Sequence, residues 1–320
     1  MPAATPLVIA HRGASGYRPE HTLDAFQLAI EQGADAIEVD VVASKDGELV
    51  VRHEPELSGT TDIAARPEFA SRRRAKDVDG RTMRGWFAED FTWAELSTLT
   101  ARERLPRLRP AGAAFDGRDG LLRLSDALGV TARAGIRLVI ELKHAVRSAA
   151  LGLPLDELLV PAIAAADAVP ELTVESFEQA VLRSLADRRF PHPLVRLLGG
   201  PRVAPDVVAH FGRPVTFREE LRDLARFEGL AGISVRTALV RSSLVDRAAA
   251  HGLSVWTWTL RPENCFLPAG YWNAGGFGRF GRYAEYWRRL AGTGIAGVFA
   301  DHPDLARDAL GRAEPVGARA

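Results

Sequence analysis

A single cysteine, Cys265, has nothing to pair with in its own chain, so no intrachain disulfide holds this fold and a reducing compartment suits it. Charge of neither sign is in excess, since Lys plus Arg and Asp plus Glu both total 41. Such a chain sets up no global field toward a polyanion. Its densest basic run, Arg72-Arg73-Arg74, reads as a solvated helix or loop tip, and nucleic acid is not an expected partner. No apolar run approaches the ~20 residues of a membrane span. Residues 1–10 lack the charged start, apolar centre and small-residue cleavage site of a signal peptide. The expectation is a cytoplasmic protein with no integral membrane segment, exported only if a leader has been removed. There is no repeat of fixed period and no long low-complexity tract, and nothing sets an oligomeric state.

What is present gathers at the ends of short hydrophobic runs between Val8 and Glu54. Leu7-Val8-Ile9-Ala10 is closed by His11-Arg12-Gly13, the pattern of a strand buried on both faces that stops at a loop. In Ile37-Glu38-Val39-Asp40-Val41 the two acids are two apart, so in a strand both point to one face. An amphipathic strand with its polar face in water would account for that triplet alone. Against it, carboxylates ~5 Å apart at an effective dielectric of about 20 repel by roughly 3 kcal/mol, a cost that a divalent cation turns into attraction. Hard oxygen ligands suit magnesium or calcium rather than zinc. The link from Val42 to Glu48 is too short for a crossover helix, and Lys45-Asp46-Gly47 is a turn signal. Leu49 to His53 should therefore return antiparallel, with His53 opposite Val39. Far downstream, the strand-like run Arg137 to Lys143 ends in Glu141 and Lys143, again on one face. It offers a third metal oxygen and a cation for a phosphate.

Strand and helix patterns alternate through most of the remainder, which argues for parallel βα units closed into a TIM-type (β/α)8 barrel. A barrel uses about 250 residues, so the chain has room for an insertion. Residues 56–120, where the pattern breaks down around Trp86, Phe91, Trp93 and Leu96, read as that insertion within a single barrel domain over 1–320. Thr92-Trp93-Ala94-Glu95 fits a helix-capping box there. Helices are expected at 22–32, 124–134, 155–168, 243–250 and 283–290, with an irregular segment around prolines 201, 205 and 214. Nine strand-like runs compete for eight barrel places. Either the arm ending at His53 makes the barrel irregular, or the run around Ile233 is an accessory strand. Trp256 is a candidate wall for a substrate's alcohol portion, Trp258 reads as a barrel-filling or rim aromatic, and Asp301-His302-Pro303 reads as the cap of the following helix rather than a ligand contact.

Taken together and in order, these pieces resemble the glycerophosphodiester phosphodiesterase family. The resemblance rests on His11-Arg12-Gly13, Pro19-Glu20-His21-Thr22, Gly33 to Val41, Lys45-Asp46-Gly47, Val51-Arg52-His53, Ile140 to Lys143, Val255 to Trp258 and Phe299 to Pro303. It implies one divalent ion, Ca2+ or Mg2+, on Glu38, Asp40 and Glu141. It further implies His11 and His53 as the acid–base pair, Arg12 and Lys143 on the substrate phosphate, and Glu20 as a supporting polar residue. The implied reaction is hydrolysis of a small-molecule glycerophosphodiester to an alcohol and sn-glycerol 3-phosphate, through a cyclic phosphate or by direct attack of water. Thr60-Thr61-Asp62 and Phe91-Thr92-Trp93 look like the family's bacterial branch, which carries an insertion after the second histidine. Two residues depart from the common pattern: Glu54 stands where Asp is usual and His21 where Asn is usual. The Gly-rich aromatic loop at 266–280 also falls outside the pattern and could close one side of the pocket. A phospholipase D-type or cyclising lipid phosphodiesterase on the same barrel is the nearest alternative, and a barrel that binds without catalysis a more distant one.

Overall fold

In the computed structural model, which describes residues 5–199, 206, 210–213 and 216–312, the run Ala36–Ala43 is buried at every position. A strand with neighbours on both edges, helices over one face and a closed interior on the other has no side left for water. In chain order the strands are β1 (Leu7–His11), β2 (Ala36–Ala43), β3 (Leu49–Val51), β4 (Arg74–Val78), β5 (Arg81–Gly85) and β6 (Arg137–Leu142). They continue with β7 (Leu172–Ser176), β8 (Leu194–Leu198), β9 (Leu230–Arg236), β10 (Ser254–Leu260) and β11 (Gly297–Ala300). Eight of them, β1, β2 and β6 to β11, run parallel and close on themselves, because β1 pairs with β2 on one edge and with β11 on the other. The run around Ile233 is thus a full barrel strand. The ninth is β3, antiparallel to the upper half of β2. Its register, Val41 opposite Val51, and the Arg52 N–H that donates to the Asp40 carbonyl at 2.8 Å lead His53 back toward Val39, as the turn at Asp46 implies. The proline-bearing segment at 201, 205 and 214 lies outside the described residues.

Alternation along the strands sorts the core into two shells. Val8, Ile37, Val39, Ile140 and Val174 point outward and pack in the large apolar cluster that includes Phe26, Leu128 and Trp287 from the surrounding helices. Ile9, Ala36, Val139 and Phe299 point inward and form the floor of the barrel. One step further along the same inward faces come His11, Glu38, Glu141, Glu175 and Asp301. The pleat that builds the floor therefore aims the polar residues into the mouth.

Between β3 and the helix Leu124–Ala134, a second apolar cluster gathers Leu57, Ile63, Phe69, Trp86, Phe91, Leu96 and Leu99 on Val42 and Val50. This stretch carries the β4–β5 hairpin and the capping box, in which Thr92 and Glu95 satisfy each other's backbone N–H groups. Within the basic triplet, Arg73 and Arg74 are exposed as a solvated tip would be, but Arg72 is not. Its guanidinium lies 3.7 Å from the centroid of Phe91 and pairs with Glu95 at 2.5 Å. No helix among the described residues is long and apolar enough to cross a membrane.

Candidate active site

A cleft of about 1120 Å3 opens where the barrel strands end, and His11, Arg12, Glu38, His53, Glu141 and Lys143 all line it. The turn after β1 sets its first wall. Gly13 (φ +83°) sits so close to Ala25 that a Cβ would meet backbone at 2.8 Å, which leaves only glycine at the end of the His-Arg-Gly triplet. Arg12 itself is left-handed (φ 65°), as is His21 (φ 59°), strain that concentrates at sites held by their surroundings. So turned, the Arg12 backbone N–H donates to Glu38 Oε2 at 3.0 Å, and its guanidinium reaches Asp40 at 3.1 Å and Glu20 at 3.0 Å.

Carboxylate oxygens of Glu38, Asp40 and Glu141 lie within 4.8 Å of one another, all three residues buried. The parallel register of β2 on β6 sets Asp40 beside Glu141, and that of β6 on β7 sets Glu141 beside Glu175. Burial pushes the Glu38 carboxyl well above its usual range and Asp40 adds to it. Burial and Asp40 likewise push Glu141 up to about 8, although Lys143 opposes them. Burial, then Glu141, raises Glu175. Asp40 behaves differently: burial works against its ionisation, but Arg12, His53 and Lys143 outweigh it and hold the carboxyl low. Asp40 Oδ1 and Glu175 Oε2 are buried without a hydrogen-bond donor. A pocket with more acid than its own cations support, and with orphaned oxygens, fits a divalent cation.

The two histidines sit on either side of these acids, each anchored from behind. His11 Nδ1 meets Asp301 Oδ1 at 2.6 Å, and His53 Nδ1 meets Glu54 Oε1 at 2.6 Å. A carboxylate on Nδ1 fixes the tautomer with its proton there, which leaves Nε2 as the unprotonated nitrogen. Consistently, Lys143 Nζ lies 3.1 Å from His53 Nε2 and 2.8 Å from Glu141. Burial, then Arg12, pushes His11 down to about 4. Burial, then Arg12 and Lys143, pushes His53 down to about 3. Both imidazoles are neutral near pH 7.

The sequence profile of the Glycerophosphoryl diester phosphodiesterase family matches residues 11–305. The chain belongs to that family. It is 47% identical over 106 residues to an Arabidopsis thaliana glycerophosphodiester phosphodiesterase, a stretch that covers 33% of this chain and 28% of the relative. Stretches matched to the first of its curated relatives span about a quarter of those proteins' length. A crystal structure of a Silicibacter pomeroyi protein described with the same family activity superposes with a TM-score of 0.70 at 25% identity, over 97% of this chain and 94% of that one. The fold is shared as well by an Oleispira antarctica phosphodiesterase in complex with its product sn-glycerol-3-phosphate, at a TM-score of 0.67 and 22% identity, over 96% of this chain and 97% of that one.

Within this cleft, several residues sit elsewhere than the sequence led one to expect. Trp256 is not the wall. It lies at the height of Gly297, where a Cβ would come 3.2 Å from its ring, and packs on Phe299 in the floor. Trp258, two residues higher, lines the cleft and meets Phe177 edge-on at 5.4 Å. Asp301 caps nothing: it accepts from Arg109 at 2.8 Å and Arg261 at 2.7 Å while holding His11. Glu54 does reach the site, as the partner of His53, and His21 Nε2 contacts Asp40 at 2.9 Å. Glu20 is a bridge, taking Arg12 on one side and Arg104 on the other. Phe266, Leu267 and Pro268 from the aromatic loop do close one side of the cleft. Sequence reasoning missed Glu175, whose signal was available as a lone acid inside the strand-like run Leu172–Ser176. It also missed Arg104 and Arg109, for which no local signal exists.

Proposed function

We propose that this chain hydrolyses glycerophosphodiesters to an alcohol and sn-glycerol 3-phosphate, with a calcium or magnesium ion held by Glu38, Asp40 and Glu141. We read residues 56–120 as an insertion in a single barrel domain. The observation that carries this reading is the pair of Nδ1-anchored histidines flanking a buried three-acid cluster, with Arg12 and Lys143 beside it. When bound, the cation would draw charge from a non-bridging phosphate oxygen and relieve the repulsion among the three acids. Arg12 and Lys143 donate to the remaining phosphate oxygens, so developing charge meets groups already in place. One neutral imidazole takes the proton of the attacking hydroxyl through Nε2 as the new O–P bond forms, the hydroxyl being that of water or that of the substrate's glycerol, whose cyclic phosphate a water then opens. The other, protonated once the phosphate's charge offsets the local cations, returns a proton to the alkoxide as the old P–O bond breaks. Trp258, Phe266, Leu267 and Pro268 present the alcohol portion with an apolar wall. That the Oleispira antarctica neighbour holds sn-glycerol-3-phosphate as product supports the choice of substrate class.

A panel of glycerophosphodiesters and lysophospholipids, assayed after chelation and after each metal is restored, tests the proposal. Turnover of the deacylated diesters, lost on chelation and regained with Ca2+ or Mg2+, is expected. Turnover of lysolipids alone would transfer the assignment to a lipid phosphodiesterase on the same barrel, and metal binding without any turnover would make the chain a binding protein.

A further inference from the structure

Arg104 and Arg109 lie five residues apart in the stretch between β5 and β6, far in sequence from either histidine, and each grips the carboxylate behind one of them. Arg104 is bidentate twice over. Its Nη1 and Nη2 donate to Glu54 at 2.7 Å each, and its Nε and Nη2 donate to Glu20 at 2.6 and 2.5 Å. Through Glu54 it reaches His53, and through Glu20 it reaches Arg12. Arg109 donates through Nη2 to Asp301, which holds His11. Its other nitrogens donate to Glu263 at 2.7 Å and to the Ser15 carbonyl at 3.1 Å, so the guanidinium is fixed on three sides. The short segment between them is itself tethered, with the backbone N–H of Leu105 donating to Glu103 and those of Leu108 and Arg109 to the Leu105 carbonyl.

We infer that residues 104–109 form a strap whose two arginines are positioning residues for the acid–base pair, Arg104 for His53 through Glu54 and Arg109 for His11 through Asp301. This rests on the reading of His11 and His53 as that pair. The physical case is one of geometry. A carboxylate fixes an imidazole only if it is itself fixed: the planar fork of Arg104 satisfies both oxygens of Glu54 and removes its freedom to rotate, while Arg109, beside Arg261, pins Asp301 Oδ2 and leaves Oδ1 for His11. Glu54 needs this more than most, because it follows its histidine directly in the chain on an arm outside the closed barrel. The strap also gives the stretch between β5 and β6 a task in the reaction: without it, the barrel alone leaves Glu54 unsupported.

The test compares Arg104→Ala and Arg109→Ala with Arg66→Ala. Arg66 pairs with Asp62 in the same part of the chain and touches neither histidine. The first readout is the pair of downfield Nδ1–H proton resonances of His11 and His53, which needs no substrate. Arg104→Ala should shift or broaden the His53 signal and spare that of His11, Arg109→Ala should do the reverse, and Arg66→Ala should move neither. The second is kinetic. With glycerophosphocholine and metal present, each strap variant should lose kcat on the order of 10- to 100-fold, the range typical of lost supporting partners. KM should stay within about threefold, and added guanidinium ion should restore part of the loss for the alanine variants only. Should an alanine variant fail to fold, the corresponding lysine variant, which keeps the charge and loses the fork, should give the same selective shift. Unmoved resonances, or both signals moving together in every variant, would overturn the strap. If the wild-type protein turns over no diester, the activity reading falls and the resonances alone decide the strap.

Discussion

The two histidine corners of this site are built to the same plan in different surroundings. At one, His11 and Asp301 have side chains only 10% and 2% exposed, and two arginines hold the acid. At the other, His53 and Glu54 are each 28% exposed, and Arg104 holds the acid. The His11 corner is a product of barrel closure. Ala10 pairs with Ala300 across β1 and β11, so His11 and Asp301 emerge side by side from adjacent strands. The His53 corner is a product of a turn, a neighbouring residue and a distant arginine, none of them part of the barrel wall. The comparison teaches that one imidazole meets its acid through closure of the scaffold and the other through an added arm, although the strap braces both acids. The two corners should therefore fail in different ways when cut.

The largest effect should come from the imidazoles themselves. His11→Ala and His53→Ala should each lower kcat by about 100- to 10,000-fold, the usual worth of a positioned acid or base. Steady-state kinetics on glycerophosphocholine would measure it, and a wild-type kcat in either variant would break the symmetry assumed here. Next comes stability. Asp301→Asn removes the carboxylate shared by buried Arg109, which keeps only Glu263, and by half-buried Arg261, and should cost roughly 3–5 kcal/mol in denaturant unfolding, whereas Glu54→Gln, at a partly exposed pair, should cost only about 1 kcal/mol. Equal losses would mean the corners do not differ as burial implies.

The third effect is one of pH. His11 is pushed down to about 4 by burial and Arg12, against 6.5 when free, so between those values the unfolded chain binds a proton that the folded chain does not. Stability from this group is complete above pH 6.5 and is lost as pH falls toward 4, by roughly 3 kcal/mol at about 1.4 kcal/mol per unit. Unfolding curves at pH 7, 5 and 4 would show it, and His11→Gln should flatten the slope. The smallest effect separates floor from wall. Trp258→Ala should raise KM several-fold with little change in melting temperature, and Trp256→Ala should do the opposite, lowering the melting temperature as a core aromatic does.

Much of this was legible in the sequence because strand pleating carries it. The spacing of Glu38 and Asp40, the turn at Asp46 and the Glu141/Lys143 repeat each report a face or a register from neighbouring residues alone. Height within the barrel is another matter. Trp256 and Trp258 share an inward face by the same period of two, and only the pairing of Trp256 with Gly297 shows which lies in the floor. Asp301 resembled a cap because a helix follows it, and its real partner is 290 residues away. Arg104 and Arg109 sit in a stretch whose own pattern is irregular, and their roles depend on where that stretch folds back. Sequence reports what a segment does along its own axis, and lateral meetings made by closure or by an addition go unreported.

The central claim is a metal-dependent cleavage that releases the alcohol and leaves the phosphate on glycerol. Phosphorus NMR of glycerophosphocholine incubated with the chelated protein, before and after adding Ca2+ or Mg2+, addresses it in one experiment. The account predicts no change until the ion is added and then growth of the sn-glycerol 3-phosphate signal, absent from Glu141→Gln under the same conditions. Turnover that ignores both chelation and Glu141→Gln, or phosphocholine as the product, would contradict it.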